Sequence, residues 1–260
     1  IEASTIGNIR VVDNAFVDNL VSPNLSVVFL FTFFSIFIGI IVALFRGVFI
    51  ISISNPAELN DAKMSHEIIG VIPKVENTLN PFEDKKFEQS VETSILNIET
   101  IIKAGQAEIE DTSCKKIVFT SPTAANGKSF ISKSISEGLA GIGHKVLLID
   151  ADLKRGDQHK LFNKETIELE FFKNISIENI DELMIKDNLY LLPRLKKIKN
   201  TFEHLYGNQF IDKVDEFTKL FDYIIIDTAP ALSVSDTGLL MSTCDNNFLI
   251  VRHNVNRINE

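Results

Sequence analysis

The sequence predicts an α/β domain, with a parallel sheet covered by helices on both faces, preceded by one transmembrane helix. Three observations carry that prediction. Short apolar runs alternate with helical periodicity beyond Lys115, polar clusters follow several of those runs, and an uncharged apolar stretch lies near the N-terminus. Strands that are apolar on both faces belong to parallel sheets, whose crossover helices cover both sides. Ligands in such sheets are expected at the C-terminal ends of the strands.

The 260 residues suffice for one sizeable domain plus an appendage. The chain opens at Ile1 without a Met and closes inside a polar stretch, so it is expected to be a piece of a longer protein. Its formal charge of −9 argues against a nucleic-acid partner, which calls for a surplus of Lys and Arg. Cys114 and Cys244 lie far apart and read as isolated thiols. The five histidines, His66, His144, His159, His204 and His253, show no metal-ligand spacing.

Leu25 to Phe45, LSVVFLFTFFSIFIGIIVALF, carries no charge, and Arg46 follows directly. About 20 apolar residues match the hydrocarbon thickness of a bilayer. The run is too long for a signal peptide and lacks a basic flank ahead of it. Residues 46–115 read as linker and helix. Within them Ile68-Ile69-Gly70-Val71-Ile72-Pro73 predicts a short buried strand ended by proline. Residues 86–103 place Phe87, Val91, Ile95, Ile98 and Ile102 on one helical face.

From 116 to 260 strands and helices alternate. The predicted strands are Lys116–Thr120, Lys145–Asp150, Leu189–Leu192, Tyr223–Asp227 and Asn247–Arg252. Ile131, Ile135 and Leu139 mark a helix stopped by Gly141 and Gly143, and Phe210, Val214, Phe217 and Phe221 mark another.

The first strand runs into SPTAANGKSF, and the helix opens within it, the setting in which Gly-Lys-Ser signifies a P-loop. Thr123, Ala124, Ala125, Asn126, Gly127, Lys128, Ser129 and Phe130 form the candidate nucleotide-binding segment. Gly127 lets the backbone approach phosphates, Lys128 offers a cation to the β- and γ-phosphates, and the Ser129 hydroxyl suits Mg²⁺. Pro122 stands where such loops usually carry their first glycine. LLIDAD then sets Asp150 and Asp152 at the end of one strand, and IIIDTAP sets Asp227 at the end of another. Each Asp alone also fits a turn or helix cap. Clustered beside Lys128 and Ser129, the three carboxylates imply a cation. A site that uses ATP has to face the cytosol, so residues 1–24 are expected outside as a membrane-proximal segment and residues beyond 45 inside. Arg46 gives the same sense weakly.

The order of GKS, LLIDADLKRG and IIIDTAP resembles the bacterial tyrosine kinases of the membrane-bound polysaccharide co-polymerase type. The likeness extends to the apolar helix, the IIGVIP island and the VRHNVN ending. It implies a tyrosine autokinase regulating capsular or exopolysaccharide polymerisation and export in the bacterial inner membrane, using ATP and Mg²⁺. It also implies roles. Asp150 would take the tyrosine proton, Lys128 would stabilise the transferring phosphoryl group, and Asp152 would belong to the catalytic set. Ser129, Asp152 and Asp227 would hold Mg²⁺. Partners implied are neighbouring subunits of a homo-oligomer, with a ring as one arrangement the resemblance allows, the polysaccharide polymerase and export machinery, and a tyrosine phosphatase.

The chain departs from that pattern in two places. It carries only Tyr190, Tyr206 and Tyr223, with no tyrosine cluster, and the first two strand tyrosines by position, Tyr190 and Tyr223, read as core. The helix SVETSILNIETIIK lacks the arginines with which the family engages a neighbouring subunit. Two other readings stay open: a polysaccharide co-polymerase scaffold without catalysis, and a membrane-tethered ATPase of the partitioning and cell-division class. The latter class carries a further lysine where this chain has Thr123.

Overall fold

The computed structural model describes residues 24–49, 67–77, 80–105, 114–196, 208–233, 236–253 and 255. It divides into two units, Ile1–Ile51 and Ser52–Glu260. In the first, helix α1 (Leu25–Phe49) contains the apolar stretch Leu25–Phe45, none of it buried. Among the described residues this is the one helix long and apolar enough to cross a membrane. The Thr32 hydroxyl donates to the Val28 carbonyl at 3.0 Å, and that of Ser35 to the Thr32 carbonyl at 2.9 Å. These two hydroxyls of the stretch thus find acceptors within their own helix.

The second unit is built on a six-stranded sheet ordered β3-β4-β2-β5-β1-β6. Its strands are β1 (Lys115–Thr120), β2 (Val146–Asp150), β3 (Met184–Lys186), β4 (Leu189–Leu192), β5 (Tyr223–Asp227) and β6 (Asn246–Leu249). Its helices are α2 (Lys85–Gly105), α3 (Lys128–Gly141), α4 (Gln158–Leu161), α5 (Leu169–Asn174), α6 (Asn208–Phe217) and α7 (Asp236–Ser242). All pairings are parallel except that of the edge strand β3, which runs antiparallel to β4 with an irregular register.

Alternation along the strands feeds two cores. Val118, Leu147, Ile149, Ile224 and Ile226 face one side and pack with Phe172, Phe210, Val214 and Phe217. Ile117, Phe119, Val146, Leu148 and Ile225 face the other and pack with α2 and α3. Helices therefore cover both faces, as the apolar runs predict. The stripe Phe87, Val91, Ile95, Ile98 and Ile102 is buried along α2, so this helix shares the sheet's core. Complete burial of a side chain such as Phe87 or Phe217 contributes about 2–3 kcal/mol.

One local expectation is corrected. Ile68–Pro73 forms no strand. It lies beside α2, with Val71 exposed, Ile69 and Ile72 half-buried against the core, and the Asn97 amide donating to the Ile69 carbonyl at 2.6 Å. Its apolar residues answer to a helix face rather than to a sheet. Tyr190 and Tyr223 are buried, and Tyr206 lies outside the described residues. Burial pushes the Cys114 thiol up to about 12 and that of Cys244 up to about 11, so both are neutral thiols at physiological pH.

Candidate nucleotide site

Strand order creates the site. β5 lies between β1 and β2, and its register sets Asp227 beside Phe119 on one side and Asp150 on the other. The loop after β1 and the two acidic strand ends therefore meet at one edge of the sheet. Bonds across the strands hold that edge. The Thr228 amide donates to the Phe119 carbonyl at 3.1 Å and the Ala231 amide to the Ser121 carbonyl at 2.8 Å. The hydroxyls of Thr120 and Thr237 both donate to the Ala229 carbonyl, at 3.2 and 2.9 Å.

The loop turns through two left-handed residues, Ala125 at φ 64° and Gly127 at φ 87°. Gly127 caps α3 and aims the start of that helix outward, an arrangement that favours anions. Ala124, Ala125 and Gly127 form the exposed rim. Asn126 is buried and its amide reaches the Thr123 hydroxyl at 3.4 Å, while the Ser121 hydroxyl donates to the Thr123 carbonyl at 2.8 Å. The Phe130 ring packs against Phe87, their centroids 5.5 Å apart, so that side chain serves the core.

Ala125 carries a Cβ in a conformation that costs an L-residue about 1–2 kcal/mol. Replacement by glycine forfeits part of the gain through unfolded-chain entropy. Ala125→Gly is therefore expected to stabilise the fold by about 0.5–1 kcal/mol, read as a raised melting temperature.

Beneath the rim, the Lys128 ammonium lies 2.8 Å from Asp227 Oδ1 and 3.3 Å from Ser129 Oγ, with both charged side chains buried. The other Asp227 oxygen accepts from Gln158 Nε2 at 2.9 Å. Asp150 Oδ2 accepts from the Gln158 backbone amide at 3.1 Å, while its Oδ1 is buried without a partner. Burial, followed by the Asp227 charge, holds Asp150 well above the usual carboxylate range. Burial also raises Asp227, opposed there by the Lys128 ammonium and by hydrogen bonds from Ser129 and Gln158. Of the two, Asp150 is raised the more, while Asp227 has the Lys128 ammonium at 2.8 Å.

Asp152 Oδ1 accepts from the amides of Lys154 and Arg155 at 3.2 and 2.9 Å. It folds its own turn, and its charge also reaches Asp150. The structure thus joins Lys128, Ser129 and Asp227 directly and draws in Asp150 through Gln158. Two residues beside the site are not among the candidate site residues. Gln158 lies in no motif; Arg252, within the VRHNVN ending, donates its guanidinium to the Ala125 carbonyl at 2.8 Å. Neither is marked by spacing, because each depends on which strands become neighbours.

Among the described residues no three acidic, thiol or imidazole groups form a metal cage. Mg²⁺ is commonly held by one or two protein oxygens together with phosphates and water. Ser129 Oγ and Asp227 Oδ1, bridged here by Lys128, offer such a pair, so the residues present fit a cation that arrives with a nucleotide.

A mostly parallel sheet with a P-loop after its first strand and acidic ends on its neighbours defines a P-loop ATPase-like protein, and this architecture implies nucleotide binding. Residues 114–255 match the AAA domain family, and the chain belongs to it. Its relatives are bacterial tyrosine-protein kinases. It is 28% identical to the tyrosine-protein kinase ptk of Acinetobacter johnsonii over 97% of this chain and 36% of that protein. It is 26% identical to a putative tyrosine-protein kinase in the cps region of Klebsiella pneumoniae, over 98% of this chain and 38% of that one. The kinase domain of the Escherichia coli tyrosine kinase ETK superposes with a TM-score of 0.67 at 22% identity, covering 80% of this chain and 86% of that domain. The chain thus spans little more than a third of the curated relatives' length, 36% and 38% for these two.

Proposed function

We propose that this chain belongs to an ATP-dependent protein-tyrosine autokinase that regulates capsular or exopolysaccharide polymerisation and export. The observation that carries the reading is Asp150. It is a buried carboxyl with one anchored oxygen and one unpartnered oxygen, set beside a Lys128–Ser129–Asp227 cluster. A proton acceptor needs a free oxygen and raised basicity, and Asp150 has both. Asp150 Oδ1 takes the proton of an incoming tyrosine hydroxyl. Lys128 turns from Asp227 to the transferring phosphoryl group, and the backbone at the start of α3 cradles the phosphates. Thr123 to Phe130 line the nucleotide. Ser129 and Asp227 hold Mg²⁺, with Asp152 joining them or ordering the turn beside them. Bound Mg²⁺ supplies neutralisation of the charge on the phosphates.

The domain boundaries follow the same reading. Residues 25–45 span the bacterial inner membrane with 1–24 outside, 46–115 supply the linker and helix α2, which packs into the sheet's core, and 116–260 form the rest of the cytoplasmic kinase domain. Neighbouring subunits, the polysaccharide machinery and a tyrosine phosphatase are the partners. The absence of arginine from SVETSILNIETIIK means that any subunit contact there uses other chemistry.

The test is phosphate incorporation by the full chain with Mg-ATP, against Asp150→Asn. Phosphotyrosine that disappears in the variant, while ADP binding persists, supports the kinase. Phosphate release without phosphotyrosine points instead to an ATPase. Failure to bind nucleotide leaves a scaffold.

Gly156 offers a finer probe. A Cβ placed on it would lie 2.1 Å from Asp150 Oδ1 and 2.6 Å from Cγ. Gly156→Ala therefore has to displace the carboxyl, at a cost of about 1–3 kcal/mol. The expected result is a lower kcat with ADP affinity unchanged.

A further inference from the structure

We propose that Gln158 is a positioning residue that selects the working oxygen of both Asp227 and Asp150. The inference rests on the nucleotide and cation reading given above. Gln158 is fully buried at the start of α4, and its Nε2 lies 2.9 Å from Asp227 Oδ2, 2.9 Å from the Ser129 carbonyl and 2.8 Å from Ser132 Oγ. The Asp227 carboxylate and the Ser129 carbonyl only accept, so the atom facing them has to be the nitrogen. That nitrogen occupies Oδ2 and leaves Asp227 Oδ1 toward Lys128 and Ser129. The backbone amide of the same residue occupies Asp150 Oδ2, leaving Oδ1 buried without a hydrogen-bond partner.

Packing alone does not account for a glutamine here. Its Oε1 is buried with no partner, a penalty that an apolar side chain of the same length avoids. The carboxamide nitrogen is thus matched to the acceptors it faces rather than the side chain to its cavity. It also ties α3, through Ser129 and Ser132, to the end of β5, so the candidate cation ligands Ser129 and Asp227 are held at a set separation by one side chain.

The test uses the full chain, with ADP and Mn²⁺ as probes. ADP affinity is measured by calorimetry in EDTA, and Mn²⁺ affinity of the ADP complex by paramagnetic resonance. Gln158→Met keeps the backbone contact to Asp150 and removes the side-chain donor; Gln158→Leu does the same with a different shape, should the first fold poorly. ADP binding in EDTA is expected to stay at the wild-type level. Mn²⁺ affinity is expected to fall roughly 10- to 100-fold, the usual loss when a group orienting a metal ligand is removed. Adding Asp227→Asn to Gln158→Met should then cost little more. A folded variant that keeps wild-type Mn²⁺ affinity overturns the role, as does an equal loss of ADP affinity in EDTA, which would mark a structural residue. A wild-type chain that binds no ADP overturns the nucleotide reading itself, and the role falls with it.

Discussion

Lys128→Met is expected to destabilise the protein by about 3–5 kcal/mol, measured by urea denaturation, in addition to abolishing phosphoryl transfer. Lys128 and Asp227 are paired at 2.8 Å with both side chains buried, so removing the cation leaves a carboxylate inside the fold with only Ser129 and Gln158 to answer it. Such a loss is a large share of the stability of an ordinary domain. The second substitution Asp227→Asn removes the stranded charge. Lys128→Met/Asp227→Asn should therefore recover most of the stability and none of the activity. If the single variant is as stable as the wild type, the buried pair carries no net weight. An activity comparison that uses Lys128→Met alone mixes chemistry with folding, so the folded fraction has to be measured alongside it.

Asp150→Asn is expected to have the opposite effect on stability. Burial and the Asp227 charge raise the Asp150 pKa in the fold above its unfolded value. The protonated carboxyl is thus the form the fold favours. That contribution is complete below the unfolded pKa and is lost as pH rises through the folded pKa. An amide keeps an acceptor for the Gln158 backbone N–H and never ionises. The variant's advantage should be absent in acid and grow with pH, by about 1.4 kcal/mol for each pKa unit of elevation. Melting temperatures of both proteins across pH check this: parallel curves would contradict it. A more stable and inactive Asp150→Asn would show a reactive group kept at the expense of stability.

Much of the fold was legible because burial on both faces leaves the same mark in every central strand. KIVFT, KVLLID, LYLL and YIIID each correspond to an observed strand within one residue at either end. β3 escaped because three residues on an antiparallel edge, two of them exposed, carry no such mark. Ile68–Pro73 misled because a short apolar run looks alike whether it lies in a sheet or on a helix. In the site, Asp150 and Asp227 were legible from their places at strand ends, and Lys128 and Ser129 from the Gly-Lys-Ser run that opens α3. Gln158 was not, since its importance comes from β5 lying between β1 and β2, an adjacency that chain order does not reveal. The left-handed Ala125 was hidden for a related reason: alanine rarely announces a positive φ.

The insertion of β5 between β1 and β2 also bears on how the molecule is made. Lys128 and Asp227 are 99 residues apart in the chain. At roughly 5–20 residues per second of synthesis, the lysine leaves the ribosome about 5–20 s before its partner. Until β5 arrives, β1 and β2 have no strand to join them, and the two halves of the sheet wait on one late, long-range closure. A nascent chain therefore exposes its phosphate loop well before it possesses the acidic strand end that completes it, and competence for nucleotide comes only with the closing of the sheet.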